Sequence, residues 1–518
     1  MAAIDNVVEV GSAVLTGRDV VGVSRHAAAV RLPEDVLARI AASRAAVDWL
    51  AASSTPVYGV STGFGALATK HIPLDRRADL QRSLIRSHAA STGTEVDREI
   101  IRATMLLRLR TLASGRTGVR PETATALASL LNCGITPIVG EYGSLGCSGD
   151  LAPLAHVALA VMGEGNVRTA DGAAMPAADA LRAAGLRPVT LAEKEGLALI
   201  NGTDGMLGML LLAAHDLHEL LAAADISAAM SVEALLGTNR VFAADLQEFR
   251  PHPGQALSAA NLRRLLDGSG IVASHQVEGE DCPIVQDAYS LRCAPQVAGA
   301  VRDTLAHAEA VAERELASII DNPVLLPDGR VESNGNFHGA PVGYVLDFLA
   351  VAIADLASMS ERRTDRLLDP ARSHGLPPFL ASDPGVDSGH MIAQYAAAGI
   401  VSDLKRLAAP ASVDSIPSSA MQEDHVSMGW AAGLKLRRSV AGLRRVLAIE
   451  ILTAARALDF RSPLTPAPAT GAARDAVRTR VAGPGPDRFL APEIEAVVTL
   501  LETGALMRAV ESVAGTLA

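Results

Sequence analysis

Residues 204–237, DGMLGMLLLAAHDLHELLAAADISAAMSVEALLG, decide the fold class. Leu, Ala and Met run through this stretch almost without interruption. The charged residues Asp216, Glu219, Asp225 and Glu233 are spaced so that they fall on limited faces of a helix. The stretch is far longer than an average globular helix. It therefore predicts one long helix that is buried over most of its surface.

Stretches of the same character follow further along the chain, whereas the first 195 residues mix short apolar runs with Gly, Thr and Pro. Long helices are predicted at residues 296–320, 341–368, 388–407 and 434–458. Shorter helices are predicted at residues 33–52, 75–88 and 96–113. A proline-rich, irregular stretch from about residue 462 precedes a last predicted helix at residues 491–518.

These patterns predict an all-α (mainly α) fold with two domains. Residues 1–195 would form a mixed N-terminal domain, and residues 196–518 a bundle of long helices packed side by side. The 518 residues are 49% hydrophobic but only 3% aromatic, so the core must be built largely from Ala, Leu, Val and Ile. This apolar content excludes a wholly disordered chain.

Charge and cysteine content exclude several classes of protein. The formal net charge is −11 without a Lys/Arg-rich tract, which argues against nucleic acid or an anionic membrane as the main partner. The uncharged stretches 49–69 and 123–140 are interrupted by Pro, Gly and polar residues, so neither predicts a membrane span. Asp5 and Glu9 stand where a signal peptide needs an apolar core, and we expect a cytoplasmic protein. Four cysteines without a CxxC pair indicate neither a disulfide framework nor a metal site.

Residues 143–154, GSLGCSGDLAPL, form the motif that is richest in chemistry. A phosphate-binding loop would end in Lys-Ser or Lys-Thr, which is missing. A serine-hydrolase elbow needs Gly two residues after the serine, where Asp150 stands, and this also disfavours Cys147 or Ser148 as an acyl-transfer nucleophile with His156 as its base. A plain structural turn in a non-catalytic helical protein remains the simplest alternative.

A further interpretation uses the backbone of Cys147-Ser148-Gly149. The amide nitrogen of Gly149 can attack the carbonyl carbon of Cys147, because Gly lacks a Cβ that would keep the two atoms apart. Loss of water closes a five-membered ring, and dehydration of Ser148 then leaves an exocyclic methylidene group. The product would be an electrophile that no ordinary side chain provides.

The chain resembles the aromatic amino acid ammonia-lyases, which carry such a group, 4-methylidene-imidazol-5-one (MIO). Residues 143–154 match the MIO signature, with Cys147 in the first ring position where Ala is commoner. Six further motifs match in order: VYGVSTGFG at 57–65, SHAA at 87–90, LALINGT at 197–203, QDAYSLRC at 286–293, GNFH at 335–338 and QEDHVSM at 422–428. Within this family the chain is most similar to the histidine-directed members.

The resemblance implies a catalytic set and a cofactor. The catalytic residues would be Cys147, Ser148, Gly149, Tyr58 and Tyr289, the first three forming the MIO group, with no external cofactor. Tyr289 would be the base that removes the β-proton of the substrate. A free phenol has a pKa of about 10 and is a weak base at neutral pH, so Tyr289 would need a nearby cation. Arg292, three residues further on, can supply it.

The resemblance also implies the substrate-binding residues His88, Asn201, Gln286, Arg292, Phe337 and Asp403. Arg292 would hold the substrate carboxylate through its two-pronged guanidinium. His88 would face the substrate side chain, and its pairing with Ser87 is typical of histidine- or tyrosine-directed members. We expect Asp403 to stand where histidine-directed members carry a glutamate and to pair with a protonated imidazole, one methylene shorter than that glutamate.

The implied reaction is the non-oxidative deamination of L-histidine to trans-urocanate and ammonia, the first step of histidine degradation. The implied assembly is a homotetramer whose active sites are shared between subunits. The alternatives within the family are a tyrosine or phenylalanine ammonia-lyase and an MIO-type 2,3-aminomutase. All of them share the MIO group and act on a small-molecule amino acid substrate, and one sequence separates a mutase from a lyase poorly.

Overall fold

The structure is a computed structural model that describes residues 7–52, 57–275 and 285–518, and it is built mainly from helices. Its α-helices are α1 (Gly17–Arg25), α2 (Glu34–Ala52), α3 (Arg77–His88), α4 (Arg98–Ala113), α5 (Pro121–Asn132), α6 (Leu151–Val161), α7 (Ala177–Ala183), α8 (Glu195–Ile200), α9 (Asp204–Ala234), α10 (Ala244–Glu248), α11 (Pro253–Leu265), α12 (Gly270–Ala273), α13 (Tyr289–Arg292), α14 (Ala294–Ala317), α15 (Ala340–Leu368), α16 (Met391–Leu407), α17 (Gly429–Phe460), α18 (Pro468–Arg478), α19 (Leu490–Glu502) and α20 (Ala505–Ala514). The predicted all-α (mainly α) class is confirmed.

The strands of the described residues are short and form small sheets. They are β1 (Val7–Glu9), β2 (Ala29–Arg31), β3 (Thr92–Glu95), β4 (Thr136–Pro137), β5 (Gly140–Tyr142), β6 (Asn166–Arg168), β7 (Ala174–Pro176), β8 (Val324–Leu325) and β9 (Val331–Glu332). β1 pairs with β2 in parallel, while β3–β5, β4–β6–β7 and β8–β9 are antiparallel.

The chain divides into two compact units, each made of several segments. The first unit comprises Met1–His215, Ala308–Asp347 and Pro410–Lys435, and it holds all the strands given above. The second comprises Asp216–His307, Phe348–Ala409 and Leu436–Ala518. This division differs from a single cut between residues 195 and 196. Local composition marks where long helices begin, but it does not reveal that two later segments return to the first unit.

Helix α9 forms where the apolar run predicts it, over 31 residues. It ends at Ala234, three residues before the predicted end, where Leu236 takes a positive φ and the amide of Gly237 bonds to the Val232 carbonyl. Its buried acids have partners, because a charge taken out of water is stable only when paired or hydrogen-bonded. Asp225, for example, accepts hydrogen bonds from Ser258, Asn261 and Arg302.

Helices α9 and α15 are long and apolar enough to cross a membrane by length and composition. However, 83% of the most apolar window of α9 and 61% of that of α15 is buried inside the protein. The core helix of a globular protein passes the same test of length and composition, so these two helices are weak evidence for membrane spans.

The other long helices also agree with the sequence. The stretches predicted at 296–320, 341–368, 388–407 and 434–458 correspond to α14, α15, α16 and α17. The prediction of one helix at 491–518 is wrong, because Gly504 takes a left-handed φ of 67° and divides it into α19 and α20. The proline-rich stretch also contains a helix, α18, with Pro468 in its first turn, where a missing N–H costs nothing.

Candidate active site

The turn that joins β5 to α6 requires glycine at position 149. Gly149 has a φ of +76°, and its backbone bridges to that of Gly202. A Cβ added to Gly149 would lie 2.0 Å from the carbonyl oxygen of Gly202. No other residue fits without moving the backbone, so packing against Gly202 alone requires glycine at the position whose amide nitrogen ring closure would use.

Asp150 anchors the end of this turn to the start of α9. Its amide donates to the Gly202 carbonyl at 2.7 Å, and its buried carboxyl accepts from the amides of Gly205 and Met206 at 2.9 and 3.0 Å. The Ser144 hydroxyl donates to the same carboxyl at 3.0 Å. Burial raises the pKa of Asp150 to about 7, although the hydrogen bonds oppose this shift. The positive end of a 31-residue helix thus holds the turn.

The beginning of the turn is anchored from the segment before α17. The Ser427 hydroxyl donates to the Gly146 carbonyl at 2.8 Å, and the Met428 amide donates to the Leu145 carbonyl at 2.8 Å. The backbone of residues 147–149 is therefore held on both sides. The residues fit the MIO group: a small first residue, a serine with a hydroxyl to lose, and a glycine compressed against a neighbouring strand of backbone.

A cavity of about 390 Å³ opens beside this turn. Four predicted site residues line it: Tyr58, Cys147, Ser148 and Phe337. Polar side chains that were given no role from the sequence complete the lining: Asn322, Ser333, Asn334, His338, Gln422, Glu423, Asp424 and His425. The cavity is large enough for an amino acid and has the few polar groups that fix a ligand's orientation.

Glu423 is the carboxylate that contacts the turn. The hydroxyl of Ser148 donates to its Oε1 at 3.3 Å, and the thiol of Cys147 donates to its Oε2 at 3.2 Å. The hydroxyl of Ser418 also donates to Oε2, at 3.0 Å. Burial raises the pKa of the Cys147 thiol to about 12, with the Glu423 carboxylate acting in the same direction. The thiol is therefore protonated and neutral at physiological pH.

Tyr58 lies half-buried at the cavity. Its hydroxyl oxygen accepts a hydrogen bond from the Gly65 amide at 3.2 Å, and its ring meets the ring of Phe64 edge to face with centroids 6.3 Å apart. These two contacts both come from the same glycine-rich loop. A loop segment that packs on its own aromatic residues thus orients the phenol.

His88 is the last residue of α3. Its Nδ1 lies 2.9 Å from the Leu84 carbonyl, and because a carbonyl only accepts, Nδ1 carries the proton. Burial lowers the pKa of His88, while the Leu84 carbonyl and the nearby Glu423 carboxylate act in the opposite direction. His88 is therefore electrostatically coupled to the carboxylate of the cavity.

Asn201 lies behind the cavity wall. Its side-chain nitrogen donates to the carbonyl of the cavity residue Asn322 at 2.8 Å. Its Oδ1 is buried and has no hydrogen-bond partner within the described ranges. The segment before Asn322 is fixed by the buried ion pair of Lys194 with Asp321, whose atoms are 2.6 Å apart.

Gln286, Tyr289 and Arg292 belong to the second unit and are absent from the described lining of the cavity. Tyr289 is 70% exposed and Gln286 is exposed as well. The guanidinium carbon of Arg292 lies 4.6 Å from the centre of the Tyr289 ring, which is cation–π geometry. The predicted proximity of a cation to this phenol is thus present at the start of α13.

The sequence predicts that Asp403 pairs with the substrate imidazole, and this stays a prediction. Asp403 lies on the exposed face of α16, its carboxylate pairs with Arg406 at 2.8 Å, and it does not line the described cavity. The spacing of Asp403 from Arg406 is that of an ordinary surface pair on one helix. Glu423 is the carboxylate found beside Ser148. The sequence feature that could have identified Glu423 is the 422–428 motif, which contains both Glu423 and His425.

His338 and His425 form a second feature that the sequence did not predict. Their rings are parallel, with centroids 5.6 Å apart, and His338 Nε2 lies 3.4 Å from the His425 carbonyl. Even with these histidines, no group of three or more His, Cys, Asp or Glu side chains within residues 7–52, 57–275 and 285–518 is arranged to hold a metal ion. Nothing in this part of the chain therefore points to metal binding at the cavity.

Comparison with known sequences gives matches over nearly the whole chain. A profile of the family described as aromatic amino acid lyase matches residues 15–479. The histidine ammonia-lyase of Streptomyces coelicolor is 63% identical over 511 residues, which cover 98% of this chain and 99% of that protein. The histidine ammonia-lyase of Symbiobacterium thermophilum is 49% identical over 512 residues, covering 98% and 99%.

Solved structures give the same result for the fold. The tyrosine aminomutase of Streptomyces globisporus superposes with a TM-score of 0.91 at 38% identity and covers 98% of both chains. The histidine ammonia-lyase of Trypanosoma cruzi gives a TM-score of 0.89 at 37% identity, covering 98% of this chain and 95% of that one. Near-equal superposition on a mutase and a lyase means that the fold alone does not distinguish the two reactions.

Proposed function

The chain belongs to the aromatic amino acid lyase family, and we propose that it is a histidine ammonia-lyase that converts L-histidine to trans-urocanate and ammonia. The observation that carries this proposal is the Cys147-Ser148-Gly149 turn with the Glu423 carboxylate 3.3 Å from the Ser148 hydroxyl. An electrophile precursor and an imidazole-binding carboxylate share one cavity. The 63% identity to a histidine ammonia-lyase along the full chain supports the same substrate.

Residues 147–149 would hold the MIO group. Once formed, this group supplies an electrophilic methylidene carbon that makes loss of the substrate's amino group possible. The chain itself contributes the compressed turn at Gly149 and the anchors at Asp150 and Ser427. These contacts fix the backbone on both sides of residues 147–149, and a backbone that is already ordered would lose less conformational freedom on ring closure.

We assign to Glu423 the role that the sequence suggested for Asp403, because Glu423 is the carboxylate that contacts Ser148. A carboxylate beside the imidazole of the substrate favours the protonated ring, because opposite charges stabilise each other at short distance. A protonated ring draws electron density away from the β-carbon, whose proton is otherwise not acidic. His88, whose pKa is lowered by burial and which is coupled to the same carboxylate, would face the substrate side chain, as the family motif implies.

The remaining substrate contacts are assigned by the family motifs and supported by local geometry. Asn201 would position the wall residue Asn322 beside the substrate, through the hydrogen bond from its side-chain nitrogen to the Asn322 carbonyl. Phe337 would pack on the ring of the substrate. Tyr58 would act as the second catalytic tyrosine, with its phenol held by the Gly65 amide.

Tyr289, Arg292 and Gln286 would reach the cavity of another copy of the chain. Their exposure supports this assignment, because an active-site phenol that is 70% open to solvent in one chain is incomplete without a neighbour. Tyr289 would remove the β-proton, and Arg292, stacked on its ring, would stabilise the phenolate and hold the substrate carboxylate. This arrangement requires an oligomer, and we propose a cytoplasmic homotetramer that binds neither membrane nor nucleic acid.

Two measurements test the proposed function. The intact mass of the purified protein should be lower than the mass of the sequence by two water molecules, since ring formation and serine dehydration each release one. Incubation with histidine should produce the strong near-ultraviolet absorbance of urocanate, and tyrosine and phenylalanine should produce little cinnamate-type product. An unaltered mass would exclude the MIO group. Appearance of a β-amino acid would instead favour an aminomutase.

A further inference from the structure

Cys147 has a side chain that ring formation leaves intact. Closure of the ring uses the carbonyl carbon of Cys147, and the dehydration step removes the hydroxyl of Ser148. The thiol of Cys147 remains, and its Sγ lies 3.2 Å from Oε2 of Glu423. A thiol at this distance is a hydrogen-bond donor, although a weak one.

The two oxygens of Glu423 have unequal surroundings. Oε2 accepts from the Cys147 thiol and from the Ser418 hydroxyl, at 3.2 and 3.0 Å. Oε1 accepts from the Ser148 hydroxyl at 3.3 Å. Because dehydration removes that hydroxyl, Oε1 loses this donor when the electrophile forms, whereas both donors to Oε2 remain.

We propose that Cys147 is a positioning residue: together with Ser418 its thiol holds Oε2 of Glu423, so that Oε1 is presented to the imidazole N–H of the substrate. The proposal rests on the proposed function, since it assigns the substrate contact of the same site. It gives the thiol a role that the methyl group of an alanine at this position cannot perform.

The chemistry of the thiol suits this role. Burial raises the pKa of Cys147 to about 12, so the side chain stays a neutral donor over the working pH range. An ammonium or guanidinium in the same place would neutralise Glu423 and weaken its attraction for the substrate imidazolium. A neutral donor fixes the carboxylate and leaves its charge available.

The experiment compares Cys147→Ala, Cys147→Ser and Ser418→Ala with the parent enzyme. Cys133→Ala is the matched control, because Cys133 is an exposed free thiol in the same compact unit. Intact mass is measured first, to establish that each variant has lost two water molecules. Values of kcat and KM are then measured for histidine, and phenylalanine is tested as a substrate or competitive inhibitor.

We expect Cys147→Ala to form the ring and to raise KM for histidine about fivefold, the effect of one lost hydrogen bond, with a smaller change in kcat. Ser418→Ala should show the same pattern, and Cys147→Ser should recover most of the loss because a hydroxyl is also a donor. The KM or inhibition constant for phenylalanine should stay unchanged, since the phenyl ring has no N–H that could bond to Oε1 of Glu423. Cys133→Ala should behave like the parent enzyme.

Unchanged KM for histidine in a ring-containing Cys147→Ala enzyme would overturn the proposal, and so would equal losses for histidine and phenylalanine. If Cys147→Ala fails to form the ring, the Ser418→Ala variant decides, because it leaves all three ring residues in place: a normal KM there also overturns the proposal. Failure of the proposed function would be seen separately, as a parent enzyme without the mass loss or without histidine turnover.

Discussion

At the scale of the residue, two carboxylates compete for the same role, and their surroundings separate them. Asp403 is exposed and already paired with Arg406, so water and a neighbouring cation screen its charge. Glu423 lies in the cavity, where its partners are neutral hydroxyl and thiol groups. Because these partners are neutral, they do not offset the negative charge of the Glu423 carboxylate, which can attract a cationic ligand.

Paired substitutions test this distinction. Glu423→Gln should lower kcat/KM for histidine by about 100-fold or more, because an amide cannot stabilise a protonated imidazole. Asp403→Asn should leave it within about twofold, as expected for an exposed surface pair. Steady-state kinetics with intact-mass control would check both variants. A large loss in Asp403→Asn with a normal Glu423→Gln enzyme would restore the role to Asp403.

Gly149 allows a second test at this scale. Gly149→Ala combines a left-handed φ of 76° with a Cβ placed 2.0 Å from the Gly202 oxygen, whereas Gly185→Ala has a φ of 69° and open space around the new Cβ. We expect Gly185→Ala to cost about 1 kcal/mol, the left-handed penalty alone. Gly149→Ala should be several-fold more destabilising and should retain the unmodified mass. Equal thermal midpoints for the two variants would contradict the steric argument.

The sequence motif identifies the residues of the turn, whereas Glu423 beside Ser148 is not among the site residues predicted from the sequence. Ring formation requires a small residue, a hydroxyl-bearing residue and a glycine in consecutive positions, so this requirement can be recognised from three neighbouring residues. The partner of the substrate ring is not local: Glu423 lies some 275 residues from Ser148 along the chain and meets it only in the fold. A motif can be recognised in the sequence, as residues 422–428 were, without revealing which of its side chains faces the site.

Helix α9 is one of the long helices, and its first turn also contacts the candidate active site. Asp150 accepts two amide hydrogen bonds from the first turn of α9, so the helix holds the end of the Cys147-Ser148-Gly149 turn. The apolar periodicity of residues 204–237 predicted the helix correctly. The function of its first turn could not be predicted, because it depends on a carboxyl supplied by another segment.

The contribution of Asp150 to the stability of the folded protein depends on pH. The pKa of Asp150 is raised from 3.8 to about 7 in the folded protein, so the folded state holds a proton that the unfolded state has released between these values. The contribution of Asp150 to stability is therefore complete below about pH 4 and is lost as the pH rises through 7. Asp150→Asn, which keeps an acceptor oxygen for the two amides, removes this loss.

We expect the thermal midpoint of Asp150→Asn, relative to the parent protein, to increase as the pH rises from about 4 to 7 and to level off above that. Melting curves of both proteins at matched ionic strength would measure the difference. A difference that stays constant with pH would mean that Asp150 is ionised in the fold throughout. A difference that shrinks with rising pH would reverse the sign of the argument.

Some exposed apolar side chains of the long helices lie in stripes. Tyr344, Phe348 and Val351 follow one another on one face of α15 and are each about half exposed, at 49%, 53% and 50%. Ile392 and Tyr395 on α16 are exposed to a similar extent. Spacing of three and four residues places such side chains in one stripe, which is the usual form of a helix–helix contact. These stripes support the proposed oligomer of long helices.

The proposed sharing of each active site between chains makes a quantitative prediction about mixed oligomers. Ser148→Ala lacks the electrophile and Tyr289→Phe lacks the base, so each homogeneous enzyme should be inactive by several orders of magnitude. When the two chains carry different tags and are expressed together, a site that takes Ser148 from one chain and Tyr289 from another is complete in about a quarter of random combinations. Tandem-purified mixed oligomers should therefore recover up to about a quarter of the parent activity, whereas the two variants mixed after purification should recover none until subunits exchange.

If mixed oligomers of proven composition stay inactive, each site must lie within one chain.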